Sequence, residues 1–474
     1  MAPEIFKGHF FNIMKLQLYE KFLGFVKEKN LIETNCKIVV AFSGGPDSAV
    51  LLFLLNKLSE SMNLKLAAAH LNHCLRADES DADEKFSAEI SKEYNIPFFS
   101  EKADVKKFSM QNKLSIELGA RKVRYDFLEI IRQKLDFDLI ATGHNMNDQA
   151  ETILMNSARG SGIRGLGGIR AKRDRIIRPL LFASRTEIEK FAEENNIKFV
   201  TDSSNLKTEY TRNRFRYSVL PAIKNAVGRD PVKNIYQSGE ILQRTYDYLE
   251  HETGRLFQQC TDTGEYGEII LDILIFRTYF RIVQEQILIK IVEGFTGQND
   301  NCLTSNLINR LLDHVLSGRN GAVTEICKTV RCYHYVSKAV FVKNMKPIGE
   351  FEVILNHINK IKETGSELKV TFISGGKTVF SDDPNLEYID FDLIKGRLRI
   401  RSWKNGDWFY PLGMGKRKKL KDFFIDRKIP SYKKYSIPIL TDRESIIWVC
   451  GLRLDHRFRI TDHTKKILKL ELIK

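Results

Sequence analysis

A glycine-rich turn between an apolar run and a helix-like stretch restricts the fold of this chain more than any other feature. The turn consists of Ser43, Gly44, Gly45, Pro46, Asp47 and Ser48. The run Lys37–Phe42 before it predicts a buried strand, and the stretch Ala49–Lys57 after it predicts a helix. Free backbone N–H groups in the first turn of such a helix bind anions, and glycines let the backbone approach closely. Because Asp47 adds a carboxylate suited to Mg²⁺, the segment predicts a phosphate site with its own metal ligand.

The turn has two alternative interpretations. A Gly-Gly pair can simply redirect the chain from a strand into a helix. A Walker A loop is excluded, because no Gly-Lys-Ser/Thr follows at the required spacing. The turn resembles the pyrophosphate-binding loop of the ATP pyrophosphatase superfamily, whose members split ATP between the α and β phosphates. The resemblance implies ATP as a substrate and adenylation of a carbonyl-type oxygen.

The residues up to about position 222 alternate strand-like and helix-like stretches. The strand candidates are Lys37–Phe42, Lys65–His70, Pro97–Glu101 and Asp138–Thr142, and the clearest helical patterns are Asp81–Glu93 and Ile116–Leu135. This alternation predicts an α/β fold, a parallel sheet with helices on both faces. Polar clusters follow three strands directly, at Ser43–Ser48, His70–Arg76 and Gly143–Asp148. Because ligands bind beyond the carboxyl ends of parallel strands, these clusters predict one pocket.

The length of 474 residues predicts several domains. We expect a nucleotide-binding domain at 1–222, a helical domain at 223–345 and a small α+β domain at 346–474. The middle segment has helical patterns at Lys233–His251 and Thr278–Ile291, whereas strand-like runs such as Leu368–Ile373 dominate the last segment.

Basic charge is concentrated in the last segment. Between Arg397 and Lys434 there are 13 Lys and Arg against 3 Asp and Glu, in a chain of formal net charge +15. The densest run holds Lys416, Arg417, Lys418, Lys419 and Lys421. Aromatic residues interleave with the basic ones: Trp403, Trp408, Phe409, Tyr410, Phe423, Phe424 and Tyr432. Basic side chains beside rings that can stack predict RNA contact, and a small core with a lysine-rich surface is the alternative.

The composition indicates in which cellular compartment the protein works. No apolar run is long enough to cross a bilayer, and the amphipathic pattern of the first 30 residues differs from that of a signal peptide. The seven cysteines are scattered and include no Cys-x-x-Cys pair. We therefore expect a reduced cytoplasmic protein without zinc, disulfides or a membrane anchor.

Several charged residues near the predicted pocket are candidates for catalysis or binding. His144, Asp148 and Glu151 have the spacing of one helical face, and Asp148 could join Asp47 around Mg²⁺. An acidic helix N-terminus that balances its own dipole is the alternative. Arg121 could neutralise phosphate charge or belong to a solvated ion-pair stripe. Arg159 and the glycines that follow it could form a mobile loop over the site or an RNA contact. Arg212, Arg214 and Arg216 are interpreted as RNA-facing or as ordinary surface charge.

Together these segments resemble the tRNA(Ile)-lysidine synthase family. The matching segments are Ser43–Ser48, His70–Arg76, Glu117–Tyr125, His144–Thr152, Arg159–Gly168, Asp202–Asn205, Arg212-Asn213, Asn405–Pro411, Lys418–Lys421 and Lys428–Pro430. One position departs from the pattern, because Asn147 stands where many relatives carry a second aspartate. That leaves Asp148 as the expected ligand.

The resemblance implies a reaction on tRNA(Ile) with the anticodon CAU. ATP adenylates the C2 oxygen of the wobble cytidine and pyrophosphate leaves; the ε-amine of free L-lysine then attacks C2 and AMP departs. By resemblance, Asp47 and Asp148 would position Mg²⁺, Glu151 would help Asp148 hold lysine, and Arg121 and His144 would lie at the intermediate. His70 and the Ser43–Ser48 turn would bind ATP, and a homodimer is implied by the family alone.

A tRNA thiolase of the same superfamily is the nearest alternative function, since it also adenylates a base carbonyl. Such enzymes generally use paired cysteines or a cluster, which this sequence lacks. A small-molecule ligase would leave the basic C-terminal block unexplained. An RNA-binding protein with a retired nucleotide fold is disfavoured by the presence of Asp47, Asp148 and Glu151.

Overall fold

The computed structural model describes residues 17–74, 78–200, 211–264, 267–297, 303–344, 346–373 and 383–473. The chain divides into two compact units, Met1–His251 and Glu252–Lys474. Arg76, the Asp202–Asn205 segment and the first 16 residues of the amphipathic N-terminal segment lie outside the described residues. The three predicted domains stay a prediction. Among the described residues, no helix combines the length and apolar character needed to span a membrane.

The described part of the first unit contains a six-stranded sheet in the order β3-β2-β1-β4-β6-β5. Its strands are β1 (Lys37–Ala41), β2 (Lys65–Asn72), β3 (Phe98–Lys102), β4 (Leu139–Ala141), β5 (Lys172–Arg173) and β6 (Ile176–Ile177). All neighbours are parallel except β5 and β6, which are antiparallel. The four predicted strands are confirmed, and the short pair β5 and β6 was not predicted.

The helices that begin in this unit include helices on both faces of the sheet. They are α1 (residues 17–28), α2 (Pro46–Met62), α3 (Asp78–Glu93), α4 (Val105–Asn112), α5 (Ile116–Lys134), α6 (Met146–Ala158), α7 (Ile163–Leu166), α8 (Arg185–Glu194), α9 (Thr211–Arg214), α10 (Leu220–Val227) and α11 (Val232–Cys260). A π-helical turn, Phe215–Val219, connects α9 to α10.

Strand β1 shows why its residues form the centre of the sheet. Its side chains alternate between faces: Ile38 and Val40 pack in one core with residues of α1, α2 and α8, whereas Val39 packs with Phe127 and Leu128 of α5. All three β1 side chains are fully buried. A strand that is covered on both faces is a continuous apolar run, as in parallel sheets between helices. The predicted α/β fold is confirmed.

The second unit begins with helices and a sheet. The helices are α12 (Ile273–Phe276), α13 (Arg281–Thr296) and α14 (Ser305–Ser317), and the strands are β7 (Thr261–Thr263), β8 (Ile269–Asp272), β9 (Val323–Cys327), β10 (Val330–His334) and β11 (Lys338–Lys343). The strands form an antiparallel sheet in the order β7-β8-β11-β10-β9. Helices were predicted here and are present, but the sheet was missed because strands of three to six residues leave little periodicity.

The C-terminal part of the second unit is built from antiparallel strands. The strands are β12 (Phe351–Glu352), β13 (His357–Ile361), β14 (Ser366–Ile373), β15 (Leu386–Asp390), β16 (Arg399–Arg401), β17 (Trp408–Phe409), β18 (Lys418–Lys419), β19 (Ile439–Thr441), β20 (Ile446–Val449), β21 (Arg453–Leu454) and β22 (Ile467–Ile473), with helix α15 (Leu420–Asp426). They form sheets in the orders β12-β16-β19-β20-β21, β13-β14-β22-β15 and β17-β18. The predicted α+β architecture is confirmed.

The aromatic residues of the basic block are divided between core and surface. Phe409, Phe423 and Phe424 are buried in a core with strands of the larger sheet, and Tyr432 is buried as well. These four rings are therefore not available to stack on bases, which corrects the expectation for them. Their apolar surface is needed to hold the small helix α15 on its sheet.

Candidate active site

The predicted phosphate turn connects β1 to α2 and is closed by one hydroxyl group. Ser48 Oγ accepts a hydrogen bond from the Ser43 N–H at 3.2 Å and donates one to the Gly45 carbonyl at 2.9 Å. Gly44 has φ +82°, a left-handed conformation that favours glycine. Gly45 is the N-cap of α2 and no side chain caps this helix end. The N-terminus of α2 therefore presents backbone donors to a ligand in the turn.

Gly143, just beyond β4, lets the next loop lie directly against this helix end. A Cβ atom at Gly143 would lie 3.1 Å from the carbonyl carbon of Asp47 and 3.2 Å from the Ser48 nitrogen. Both neighbours are backbone atoms, which cannot rotate away as a side chain can. The absence of a side chain at position 143 thus sets the distance between two loops of the site.

Replacing Gly143 with alanine is expected to lower ATP-dependent pyrophosphate release about a hundredfold, because displacement of a reacting group by about 1 Å costs that much. Steady-state assays of pyrophosphate release measure this effect. Gly24→Ala is the matched control, since nothing lies within 4 Å of a Cβ there, and it should leave the rate unchanged. Equal rates in the Gly143→Ala and Gly24→Ala variants would contradict the close approach.

Asn145, a residue that the sequence did not single out, connects the two predicted carboxylates. Its side-chain amide donates a hydrogen bond to Asp47 Oδ1 at 2.8 Å. Its Oδ1 accepts from the Asp148 N–H at 3.0 Å, and its own N–H donates to Asp148 Oδ2 at 3.1 Å. The last two bonds form a capping box at the start of α6. An Asn three residues before an acidic residue at a helix start is the sequence signal that could have identified it.

The two carboxylates differ in their electrostatics. Burial, together with the negative charge of Asp148, raises the pKa of Asp47 to about 6. Burial alone would also raise the pKa of Asp148, but the guanidinium charges of Arg212 and Arg216 help to outweigh burial, and the pKa is lowered. The site therefore holds one firmly ionised carboxylate beside another whose ionisation is hindered.

This donor set fits a divalent cation. A cation next to Asp47 and Asp148 would relieve the repulsion between them, and Mg²⁺ takes oxygen ligands from one or two carboxylates plus phosphates and water. Among the described residues there is no group of three or more His, Cys, Asp or Glu that could hold a metal by itself. The remaining ligands would have to come from phosphate oxygens and water.

Replacing Asn145 with alanine is expected to cost about 1 kcal/mol of unfolding free energy from the lost cap. It should also reduce pyrophosphate release, since Asp47 loses the donor that orients it. Chemical denaturation and rate measurements check the two effects separately. Ser184→Ala is the control, because Ser184 forms the same capping box on α8. If both variants lost stability and both kept their rates, Asn145 would be only a cap.

Two arginines form ion pairs with Glu151, the second predicted carboxylate on α6. Glu151 is completely buried, and Arg216 donates to it through Nε at 2.6 Å and Nη2 at 3.0 Å. Arg212 donates through Nε to Glu151 Oε2 at 2.9 Å. Nη2 atoms of Arg212 and Arg216 lie 3.1 and 3.2 Å from Asp148 Oδ1. This placement differs from the RNA-facing one predicted for Arg212 and Arg216. A buried carboxylate requires a paired cation, and these arginines supply it.

The remaining predicted site residues of the first unit differ in how far they are buried. His144 precedes α6 instead of lying on it, and its Nδ1 is 2.8 Å from Thr142 Oγ1. Burial lowers the pKa of His144 to about 3, so its imidazole is neutral at pH 7. His70 is buried, with Nδ1 2.9 Å from the Phe42 carbonyl oxygen, and burial lowers its pKa. Arg121 is exposed on α5.

Asn147 does not face the carboxylates. Its Oδ1 accepts a hydrogen bond from the Arg185 N–H at 2.9 Å, at the start of α8. The side chain thus ties α6 to the N-terminus of α8. This contact uses only the acceptor oxygen of the amide.

The predicted tRNA-binding residues are mostly exposed. Exposed residues are Arg159 and Arg214 in the first unit and Lys416, Arg417, Lys419 and Lys421 in the second. Lys418 is half-buried and pairs with Asp426. The half-buried ring of Trp408 has the guanidinium groups of Arg417 and Arg457 at 4.3 and 5.2 Å from its centroid. RNA contact by these residues stays a prediction.

Comparisons with known proteins cover nearly the whole chain. The PP-loop domain family matches residues 14–223, and the TilS substrate C-terminal domain family matches residues 398–472. The tRNA(Ile)-lysidine synthase of Clostridium tetani is 35% identical over 95% of this chain and 97% of its own length. That of Clostridioides difficile is 34% identical over 96% of this chain and 100% of its own.

Among solved structures, the chain is similar to the U34-tRNA thiolase NcsA from Methanococcus maripaludis with its [4Fe-4S] cluster. The TM-score is 0.40 at 20% identity, over 48% of this chain and 80% of that one. Similarity at this level does not bear on function. The full-length relatives and the two domain matches do, and they show that the chain belongs to the tRNA(Ile)-lysidine synthase family.

Proposed function

We propose that the chain joins free L-lysine to C2 of the wobble cytidine of a tRNA(Ile) with anticodon CAU. In the first step the C2 oxygen attacks the α-phosphorus of ATP and pyrophosphate leaves. In the second step the ε-amine attacks C2, the bond to the adenylated oxygen breaks and AMP departs with that oxygen. One observation carries the proposal. The phosphate turn and the carboxylates of α6 meet through Asn145, which bonds to both Asp47 and Asp148.

The first step depends mainly on the phosphate turn, Ser43–Ser48. Backbone N–H groups at the start of α2 bind the pyrophosphate part of ATP and stabilise the charge that develops as it leaves. Asp47 and Asp148 would hold Mg²⁺, which neutralises phosphate charge when bound. Arg121, which is exposed on α5, would contact the activated nucleotide, and His70 would support the turn through the Phe42 carbonyl.

The second step requires a binding site for a cationic amino acid. Asp148 and Glu151 are the carboxylates that would receive its ammonium groups; both lie on α6, and Asn145 joins Asp148 to Asp47. His144, neutral at pH 7, adds no positive charge that would repel them. The tRNA would be held by the exposed basic residues of the second unit, through contacts to phosphates. A cytoplasmic location and a homodimer remain parts of the proposal.

The proposal is tested by incubating the full-length protein with CAU-anticodon tRNA(Ile), ATP, Mg²⁺ and labelled lysine. Lysine should enter the tRNA with release of one AMP and one pyrophosphate per lysine. A tRNA(Met) with the same anticodon serves as the control and should remain unlabelled. Transfer of labelled sulfur to the tRNA without incorporation of lysine would contradict the proposal and favour a thiolase.

A further inference from the structure

Arg178, directly after β6, is a buried cation to which the site described above gives no role. The residue is 4% exposed, and among the described residues no carboxylate forms an ion pair with it. Its Nη1 donates to the Arg170 carbonyl at 2.7 Å, whereas its Nε is buried and has no hydrogen-bond partner in the described part of the chain. Arginine keeps its charge in proteins, and a buried charge without a counterion is strongly unfavourable. Arg178 is therefore expected to receive an anion.

The backbone of Arg178 lies at the carboxyl edge of the parallel sheet, beside a loop that contacts the phosphate turn. Strand β6 is parallel to β4, and the Thr142 N–H donates to the Ile177 carbonyl at 3.0 Å. The next residue after Thr142 is Gly143, whose backbone lies directly against that of Asp47. Strand β6 is two strands away from β1, which leads into the turn, and two strand spacings amount to roughly 10 Å. Arg178 thus begins close to the place where a nucleotide would bind.

The alternation of side chains in β6 directs Arg178 toward α5. Ile176 packs in the core that contains residues of α5, whereas Ile177 packs in the core on the other face of the sheet. Because successive side chains of a strand alternate, Arg178 shares the face of Ile176. The side chain of Tyr125, on α5, is in polar contact with Arg178 there, and the Arg121 guanidinium lies 5.2 Å from the centre of the Tyr125 ring. Two guanidinium groups therefore flank one phenol ring.

Arg178 and Arg121 leave an excess of positive charge at this edge of the sheet. In the part of the chain that the structure describes, neither of them forms an ion pair, in contrast to Arg212 and Arg216. Besides burial, the charges of Arg178 and Arg121 help to lower the pKa of His144, so both act on the loop in front of α6. A neutral imidazole cannot balance these charges. A phosphate can, because its oxygens match the planar fork of a guanidinium.

We propose that Arg178, together with Arg121, binds the phosphate that passes from ATP to the base and leaves as AMP, which makes Arg178 a further catalytic residue. This inference rests on the proposed function, which supplies the adenylated base. In that intermediate the phosphate carries one negative charge. In the second step the amine nitrogen bonds to C2 and gives up one proton to water, and the electron pair of the broken bond from C2 to oxygen leaves on AMP as a second negative charge.

The pair of arginines suits this change in charge. One guanidinium balances the single charge of the intermediate, and the second becomes fully balanced only as AMP forms. An interaction that strengthens toward the transition state accelerates the step in which the charge develops. We therefore expect Arg178 to matter more for the departure of AMP than for the departure of pyrophosphate, which is bound by the turn at the start of α2.

The low exposure of Arg178 favours the phosphate of a mononucleotide over one in the tRNA backbone. A backbone phosphate is flanked by two nucleotides and is reached from an open surface. Arg159 and Arg214 are exposed in the same unit and suit that task. A residue that is 4% exposed suits a small ligand that enters the site.

The first test compares the affinities of AMP and adenosine for the full-length protein by titration calorimetry, without tRNA or lysine. The two ligands differ only in the phosphate. In Arg178→Gln the affinity for AMP should fall about ten- to a hundredfold, as expected for the loss of a hydrogen-bonded charge, while that for adenosine should stay within about twofold. An equal loss for both ligands would show a structural role and would overturn the proposal.

Arg175→Gln is the matched control. Arg175 lies in the turn between β5 and β6 and also donates to a backbone carbonyl, that of Asp138 at 3.4 Å, but it is exposed. The control should keep both affinities. If Arg178→Gln does not fold, Arg178→Lys replaces it: lysine keeps the charge but loses the fork, so the affinity for AMP should fall about three- to tenfold and that for adenosine should be unchanged.

The second test follows the label of ATP that is radioactive at the α-phosphate, with CAU-anticodon tRNA(Ile), Mg²⁺ and lysine in a single turnover. In Arg178→Gln the departure of AMP should slow about a hundredfold and labelled, adenylated tRNA should accumulate, because the second step loses more stabilisation than the first. The unmodified protein and Arg175→Gln should show no such accumulation. Equal slowing of both steps in Arg178→Gln would contradict the proposed role in the second step.

The outcomes also separate the source of the phosphate and the two levels of inference. If Arg178→Gln left the affinity for AMP unchanged and weakened tRNA binding, the phosphate would belong to the tRNA backbone and the proposal would be wrong. If the unmodified protein incorporated no lysine, the proposed function would fail. The comparison of AMP with adenosine would still report on Arg178, since it requires neither tRNA nor lysine.

Discussion

Replacing Asp47 with alanine is expected to lower pyrophosphate release by about a thousandfold or more, because the site loses a carboxylate beside the phosphate turn. The affinity for tRNA should remain within about threefold of the original value, since phosphate contacts elsewhere supply most of it. A coupled assay of pyrophosphate and filter binding of labelled tRNA measure the two quantities. The expected result is thus a complete separation of chemistry from RNA binding.

The control for this variant is Asp104→Ala. Asp104 accepts a hydrogen bond from the Lys107 N–H at 2.9 Å and caps α4, so its removal costs stability without touching the turn. Both variants should be folded at assay temperature, and only Asp47→Ala should lose pyrophosphate release. Equal loss of tRNA binding and pyrophosphate release in Asp47→Ala would place RNA contacts at the turn itself.

Removing four exposed charges from the basic block is expected to weaken tRNA binding by about ten- to a hundredfold near physiological salt. The residues to be replaced by alanine are Lys416, Arg417, Lys419 and Lys421. Each lost phosphate contact should also flatten the slope of log affinity against log salt by about 0.7 to 0.9. Titrations with labelled tRNA(Ile) at several salt concentrations measure both effects.

A matched control removes the same number of charges from elsewhere in the second unit. The control replaces Lys328, Lys338, Lys346 and Lys362, all of them exposed, with alanine. If binding depended only on net charge, both variants would weaken it equally and change the slope equally. We expect a small effect in the control and a large one in the block variant. An unaltered slope in the block variant would mean that these residues do not contact phosphates.

Sequence reasoning located the first unit well because its signals are local. The run Lys37–Phe42 is apolar on both faces, and the structure shows why: Ile38 and Val39 face different cores of the same sheet. The antiparallel sheet between Thr261 and Lys343 was missed for the opposite reason. Its strands are short, and β8 pairs with β11 across three intervening helices, so the helical periodicity of α13 dominated the prediction.

The site was predicted in its residue types but not in its pairing. Asp47, Asp148 and Glu151 were expected to face one pocket, and the structure joins the first two through Asn145. Sequence spacing could not show that Arg216 would reach Glu151, since the two residues are 65 positions apart. An arginine in a polar segment is interpreted from the sequence as solvent-exposed charge. Its role as a counterion becomes visible only when the structure shows the buried carboxylate that it pairs with.

The contact between Asn147 and α8 bears on how this position can change during evolution. The Arg185 N–H needs only an acceptor oxygen, and an aspartate oxygen accepts the same bond as the asparagine Oδ1. The codons of these two residues differ by a single nucleotide. Drift between them would therefore preserve the tie between the helices while changing the apparent count of acidic residues in the motif. An aspartate at this position could thus make the contact to α8 that Asn147 makes here.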